Sequence, residues 1–331
     1  MFKPAGVLLF AVILLFYPGK LHAQCCSTGS PVGASVYVGI LGKNYLRVAT
    51  FYRHNYSDKY YEGDSHADNN PLQSANYNFT GLAFGYGLTR RLTLEMDFGY
   101  FINKTQVYLD NNVFNGMKTT GYGLSNGGFN LKYGIFVKPA KQIELTAGAG
   151  FRYPFSFDPQ MVNGIQLNRD IQPSTNAFSA NALVFFNIGF PSVTMRLFTT
   201  NRYDYNFPGK GTTDTTKYKY GNILLNSVFV SKKIAKYFFG ILQLRNEYKT
   251  HDTYGGKTEV NTGYDILYIS PQLSYSIVGK WNVTVVFDMP LYKNYTGRQL
   301  TPSYSYAISL SRDFNLGRKA PKIEPAKLES H

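Results

Sequence analysis

The sequence predicts an all-β fold: a transmembrane, up-and-down, antiparallel β-barrel of about 12 strands. Three observations lead to this prediction. Long segments alternate apolar and polar residues, only 16% of the 331 residues are charged, and the connections between segments alternate between short and long. Ordinary soluble domains carry about 25% charged residues. Beyond residue 17 no apolar run approaches the ~20 residues of a membrane helix, which excludes a polytopic helical membrane protein.

The N-terminus has the pattern of a secretory signal. Lys3 precedes an apolar run from Ala5 to Tyr17, and Ala23 offers a cleavage position. The run is too short to span a bilayer and suits the core of a signal peptide. We therefore expect a signal peptide at 1–23, cleaved near Ala23, and a periplasmic leader at 24–43. A lipoprotein is the alternative, because Cys25 follows closely, but Gln24 is not the small residue that lipid attachment prefers.

Period-two alternation defines the strands. In 91–102 the apolar phase consists of Leu92, Leu94, Met96, Phe98, Tyr100 and Ile102. This period indicates a strand with one apolar and one polar face. A soluble β-sandwich also alternates, but its strands have about five or six residues, whereas segments such as 281–291 and 177–190 are about twice as long. Only a closed sheet satisfies every backbone amide in hydrocarbon, so lipid outside favours a barrel.

We predict twelve strands, at 44–55, 75–88, 91–103, 121–137, 142–155, 176–190, 193–206, 218–231, 237–248, 264–278, 281–293 and 302–314. Outer-membrane barrels have short periplasmic turns and long extracellular loops, and the alternating connections fit that pattern. An even strand number places both termini in the periplasm. The barrel then spans 44–314, and a flexible basic tail follows at 315–331.

Three stretches resemble a known family. They are Gly85–Glu95 (GYGLTRRLTLE), Gly121–Tyr133, and Gly148–Phe155 (GAGFRYPF). They resemble motifs of the outer-membrane barrels of the meta-pathway of phenol degradation family, in the form common among Bacteroidota. Two departures are the absence of the family's Asp near Ser125 and Asn126, and Phe155-Ser156 after Pro154 in place of Thr-Gly. Members are usually regarded as outer-membrane transport proteins, so the resemblance implies a transport role.

The polar phase of the strands carries as many basic as acidic residues. We expect them to line the lumen: Arg47, Arg53, Lys132, Arg152, Arg196, Arg202 and Arg245 against Glu95, Asp97, Glu144, Asp204, Glu247, Asp288 and Asp313. The bore is then close to neutral. The overall excess of 34 Lys+Arg over 20 Asp+Glu falls at the periplasmic rim, where it would face anionic lipid headgroups. We therefore expect no nucleic-acid partner.

The loop at 156–175 is a candidate constriction. It carries Asp158, Arg169 and Asp170 among apolar residues, and structureless loops of this length are usually functional or disordered. We expect it to fold into the bore and to pair with Arg152, Arg196 or Arg202. The alternative is a loop that packs outward against its neighbours.

The leading hypothesis is a channel or transporter for small, apolar or amphipathic solutes, without a cofactor. Its other partners would be outer-membrane lipid and the barrel-assembly machinery, reached through the C-terminal strand that ends at Phe314. The alternative is a plugged structural or loop-displaying interaction barrel. A minor alternative is an outer-membrane hydrolase, for which His54 with Ser57 and His66 with Asp68 lack a recognisable base–orienter arrangement. Cys25 and Cys26 are weak candidates for a soft-metal site or a disulfide.

Overall fold

A computed structural model of the protein describes residues 39–68, 71–109, 116–162, 164–210, 217–277 and 281–317. The predicted signal peptide, Cys25, Cys26 and most of the predicted tail lie outside these residues. Within them the chain is almost entirely antiparallel strand, interrupted by three short 3-10 turns. In the described ranges, none of the helical turns has the length and apolar character needed to cross a membrane.

The barrel wall is built from consecutive strands, each hydrogen-bonded to the next in the chain. They are β1 (Tyr45–Gly63), β2 (Leu72–Gly87), β3 (Leu92–Tyr108), β4 (Lys118–Leu124, continuing as Gly127–Lys138), β5 (Ile143–Tyr153), β6 (Ser179–Phe190), β7 (Met195–Asn206), β8 (Ile223–Lys233), β9 (Phe238–Lys249), β10 (Tyr264–Ile277) and a final element, Trp281–Asn315.

The final element supplies two strands. It runs for 35 residues; its residues 281–295 pair with β10 and its residues 295–315 pair with β1, both antiparallel. A ring of antiparallel strands closes only with an even number of members, so this element must reverse direction. Gly297, with φ of 70°, lies at the reversal, and the Arg312 guanidinium stands 5.2 Å from the Trp281 ring. We call the halves β11 (281–296) and β12 (298–315), which gives the predicted twelve strands.

Several strands extend further than their alternation predicts. β1 continues to Gly63, and the segment 294–301, expected to be a long loop, is the tight hairpin between β11 and β12. The reason is that strand pairing persists beyond the apolar band, where neither face has to be apolar. Short strands also form between loops: Gly209–Lys210, Lys217–Lys219, Thr253–Tyr254 and Lys257–Thr258 make a four-stranded sheet.

The two faces of the wall are opposite in character. Large apolar side chains are exposed on the outer face, including Leu82, Phe151, Val184, Val228 and Ile308. Polar side chains are buried on the inner face, including Glu95, Thr146, Asn181, Gln243 and Ser270. This is the reverse of a soluble protein and requires lipid outside. We call the end with short turns periplasmic and the end with long loops extracellular.

Candidate functional site

The interior of the barrel is the candidate site. Of the charged residues expected there, twelve are buried or half-buried, whereas Arg196 and Asp313 are exposed. Ion pairs join Arg47 to Asp313 (2.7 Å), Lys132 to Glu95 (2.7 Å), Arg152 to Asp97 (3.2 Å) and Arg202 to Asp204 (2.6 Å). Each of these pairs lies within one strand or joins strands that are adjacent or one strand apart. The charged side chains of these pairs therefore come from neighbouring positions of the barrel wall.

Asp288 of β11 is the centre of a polar cluster on one side of the wall. It accepts a hydrogen bond from Arg53 of β1 and lies 3.5 Å from the Arg245 guanidinium of β9. The hydroxyls of Ser270 and Ser305 also donate to it. Glu247, two residues beyond Arg245, accepts a 2.5 Å hydrogen bond from the Tyr264 hydroxyl. The two arginines are thus opposed by two carboxylates.

An aromatic cluster occupies the opposite side of the inner face, toward the periplasmic end. Phe185, Phe198 and Phe229 are buried together with Ile241 packed against them, and the rings of Phe198 and Phe229 stack 4.4 Å apart. These residues stand in the polar phase of their strands. Alternation does not predict such a cluster, because an apolar residue in the polar phase carries no signal of its own.

The loop between β5 and β6 folds into the extracellular mouth. Ile171, Gln172 and Ser174 are buried, and the backbone carbonyl of Gln172 accepts a 2.9 Å hydrogen bond from Lys104 Nζ. Asn126, in the break between the two segments of β4, anchors the loop end through Thr175 and its neighbours.

The charged partners expected for this loop differ from the observed ones. Arg152 pairs with Asp97 and Arg202 with Asp204, and Arg196 donates to the Asn187 side chain over 3.2 Å. The loop is held mainly by uncharged groups. Burial raises the pKa of the Asp170 carboxyl, although Lys104 and Lys249 act in the opposite direction.

Arg169 of the same loop reaches the far side of the mouth. Its guanidinium lies 3.8 Å from the centre of the Tyr218 ring and 5.2 Å from that of Tyr254. The Tyr218 hydroxyl donates to Asp252 over 2.5 Å, and burial, with the nearby carboxylate, raises the pKa of Tyr218. Asp252 is bound in turn to Lys249 (2.6 Å). The loop therefore bridges the mouth.

Two cavities meet at this bridge. The outer chamber, with a volume of about 800 Å³, opens toward the extracellular side. Below it lies a niche of about 60 Å³, lined among others by Arg152, Arg202 and Asp204. Lys104, Arg169 and Tyr220 line both cavities, so these three residues form the constriction between them.

A third cavity lies at the periplasmic end. This periplasmic chamber has a volume of about 570 Å³. The described part of the predicted leader runs along its wall: the Ile40 amide donates to Glu144 Oε1 and the Leu41 amide to Thr93 Oγ1, both over 2.8 Å. A Cβ on Gly87 would lie 2.0 Å from the Gly42 carbonyl oxygen, so glycine at 87 permits this close approach.

The two histidines considered for hydrolysis lie apart from the bore, whereas Ser57 is buried and Cys25 and Cys26 lie outside the described ranges. His54 stands on the outer face, 2.8 Å from the Asn78 side chain and stacked on Tyr306. His66 lies 3.6 Å from Asp68 in the connection between β1 and β2. Within the described ranges no group of three or more His, Cys, Asp or Glu could hold a metal ion.

Lys104, Lys249 and Tyr220 are not among the lumen residues expected from the sequence. Lys104 and Lys249 fall in predicted loops, directly after the strands expected to end at 103 and 248, and Tyr220 falls in a predicted strand. A register shift between Phe101 and Lys104 changes the phase of β3, so Lys104 points inward although simple alternation starting from Leu92 places it outward. Lys249 continues the inner phase of Arg245 and Glu247, so extending the predicted strand by one residue would have found it.

Comparisons with known proteins support the fold. No protein-family model matches the chain, and no curated protein matches it. Among solved structures, an outer membrane channel from Pseudomonas putida F1 is 11% identical, with a TM-score of 0.67 over 86% of this chain and 100% of that one. The NanC porin is 15% identical, with a TM-score of 0.45 over 81% and 98% of the two chains. The TodX monoaromatic hydrocarbon channel is 8% identical, with a TM-score of 0.45 over 84% and 91%. The first of these likenesses shows that the chain has the fold of an outer-membrane β-barrel.

Proposed function

We propose that the protein is an outer-membrane channel for small, apolar or amphipathic solutes. The observation that carries this proposal is that large cavities, of about 800 Å³ and about 570 Å³, open at the two ends of a barrel whose polar face is inward. A twelve-stranded barrel is intermediate between eight strands, which side chains fill, and sixteen, which leave an aqueous channel. The outer chamber and the periplasmic chamber are the wide parts of the path, and the loop at 156–175 narrows it.

The lining suits an amphipathic solute. Tyrosines, among them Tyr60, Tyr108 and Tyr218, line the outer chamber together with charged residues. The cluster of Phe185, Phe198 and Phe229 offers an apolar surface nearer the periplasm. Several buried polar atoms, such as both side-chain polar atoms of Asn181, have no hydrogen-bond partner among the described residues, and water or solute in the bore would satisfy them.

Export and insertion complete the proposal. The segment 1–23 would direct the chain to the periplasm, and the C-terminal strand that includes Phe314 would be recognised by the barrel-assembly machinery. The apolar outer wall would then contact outer-membrane lipid.

The second candidate is a plugged barrel without transport. Two observations favour the plugged barrel. The loop at 156–175 lies in the extracellular mouth, and the leader residues Ile40 and Leu41 lie in the periplasmic mouth. Conductance of the full-length protein in planar bilayers decides between the two: discrete single-channel steps support a channel, and a silent but folded barrel supports the plugged alternative.

Deleting 159–168 tests the constriction. This change removes Gln160 and Leu167, whose carbonyls accept hydrogen bonds from the Gln172 side chain, so the inward fold of the loop should be lost. We expect a higher single-channel conductance with normal insertion. Equal conductance would place the narrowest point elsewhere in the barrel.

A further inference from the structure

The constriction carries two cations held in place by aromatic rings. Lys104 Nζ lies 4.9 Å from the Phe101 ring centre, and Arg169 is stacked on Tyr218. The third member, Tyr220, packs edge-on against the same Tyr218 ring, with centroids 4.9 Å apart. A guanidinium stacked by its face keeps its N–H edge available for a ligand.

The charge becomes more positive from the outer chamber to the niche. The outer chamber is lined by four cationic side chains, Lys104, Arg169, Lys249 and Arg298, and by three acidic ones, Asp170, Asp252 and Glu259. The niche is also lined by four cations, Lys104, Arg152, Arg169 and Arg202, and these face two carboxylates, Asp204 in the lining and Asp97 bound to Arg152. An anion that enters from outside therefore meets a more favourable potential at the constriction.

One of the niche cations has unused hydrogen-bonding capacity. Arg152 donates from Nη2 to Asp97 and to the Asn126 carbonyl. Its Nη1 is buried and has no hydrogen-bond partner among the described residues. A buried donor of this kind is costly unless a ligand or water accepts from it.

The dimensions separate the head of a ligand from its body. The niche, with a volume of about 60 Å³, is far smaller than the outer chamber of about 800 Å³, so it suits the small charged head of a ligand better than its body. The outer chamber above it is large and carries the rings of Tyr60, Tyr108, Tyr218 and Tyr220.

We infer that the constriction is a carboxylate subsite and that the solute is a small aromatic carboxylate. Its carboxylate lies between Arg169, Lys104 and Arg152, and its ring rests among the tyrosines of the outer chamber. The planar guanidinium of Arg169 matches a carboxylate with two parallel hydrogen bonds. This inference rests on the proposed channel function and names the class of solute that the channel selects.

Direct binding tests the subsite without transport. Calorimetry on the full-length barrel in detergent would compare benzoate with benzyl alcohol, which has the same ring and no charge. We expect benzoate to bind at least about tenfold more tightly, and Arg169→Gln to remove that advantage while leaving benzyl alcohol unchanged. Arg298→Gln is the matched control, because Arg298 lies at the exposed rim of the same chamber, 3.8 Å from Glu62, and its loss should lower the benzoate affinity far less than Arg169→Gln.

The outcomes separate this inference from the channel function. Equal affinities for benzoate and benzyl alcohol, or equal losses in the two glutamine variants, would overturn the subsite even if the barrel conducts ions. Benzoate binding in a barrel that shows no conductance would keep the subsite and reject the channel. Inorganic phosphate that binds as tightly as benzoate would overturn the assignment of a carboxylate.

An electrical measurement tests the same residue. In a bilayer with a KCl gradient, the reversal potential should show a preference for chloride, and Arg169→Gln should lower that preference.

Discussion

Asn126 holds the inward loop with the full hydrogen-bonding capacity of one side chain. Its amide nitrogen donates to Thr175 Oγ1 and to the Ala177 carbonyl, and its oxygen accepts from Ser174 Oγ and the Thr175 amide. An asparagine side chain has two such donors and two acceptor positions. Aspartate at this position keeps the two accepted bonds and loses the two donated ones.

We expect Asn126→Ala to release the end of the loop. Each hydrogen bond lost contributes about 0.5–1.5 kcal/mol, so the inward conformation should lose a few kcal/mol and the single-channel conductance should rise. Asn126→Asp should give an intermediate conductance. Wild-type conductance in the alanine variant would show that Lys104 and Gln172 hold the loop without Asn126.

We expect Asp170 to make the constriction sensitive to pH. Its pKa is raised by burial, and it faces Lys104, Lys249, Asp252 and its neighbour Arg169. A raised carboxyl pKa means that the group loses its charge at a higher pH than an exposed aspartate does. As the pH falls through that value, the cations at the constriction lose an opposing charge.

The preference for anions should therefore increase on acidification. Reversal potentials in a KCl gradient, measured at several pH values above the ordinary aspartate range, check this expectation. Asp170→Asn should show the acid-type preference at neutral pH and a flatter pH profile. A variant whose profile follows that of the wild type would assign the titration to another group.

At the scale of a single strand, β7 offers a matched pair of positions. Thr199 and Thr200 are adjacent and both half-buried. Thr199 pairs with the outward Val228, whereas Thr200 pairs with the inward, buried Ser227. An arginine on the lipid face of a barrel costs about 2–4 kcal/mol near the bilayer midplane, whereas a lumen substitution changes selectivity.

We expect Thr199→Arg to lower the free energy of unfolding in a bilayer by about 2–4 kcal/mol, and Thr200→Arg to lower it much less. Urea titration of the two variants in lipid vesicles measures the difference. The same substitution is made one residue apart, so equal destabilisation would contradict the assignment of the two faces.

At the scale of the whole molecule, stability depends on closure between β1 and β12. Their register runs from Tyr45 opposite Asn315 to Tyr61 opposite Gln299, so the first and last strands complete the ring. Without β12 an odd number of strands remains, and two edges would expose unpaired backbone groups to hydrocarbon. Lipid offers no hydrogen-bonding partners for such groups.

Truncation tests this closure. A chain that ends at residue 317 keeps β12 and should insert normally, whereas a chain that ends at residue 297 should not insert. Protease protection in outer-membrane fractions compares the two. Protected insertion of the shorter chain would contradict the twelve-stranded ring.

The strands of the barrel wall can be predicted from the sequence alone. Alternation is a local property, because successive residues of a strand point to opposite faces whatever the strand pairs with. Segments such as 281–291 therefore identified strands, and the alternating lengths of the connections predicted their up-and-down order. Alternation does not predict strand ends where neither face has to be apolar. The extension of β1 to Gly63 and the tight hairpin at 294–301 lie in such regions.

The residues of the constriction can be identified only from the tertiary structure. Lys104 comes from β3 after a change of register, Arg169 from a loop whose apolar and polar residues have no period, and Tyr220 from the connection before β8. No spacing in the sequence relates these three residues. They meet because closure of the ring brings the ends of distant strands together at one mouth, and because the loop is held across it by Asn126 on one side and Tyr218 on the other. A local pattern predicts which face a side chain occupies, whereas a contact across the bore depends on the diameter and stagger of the closed barrel.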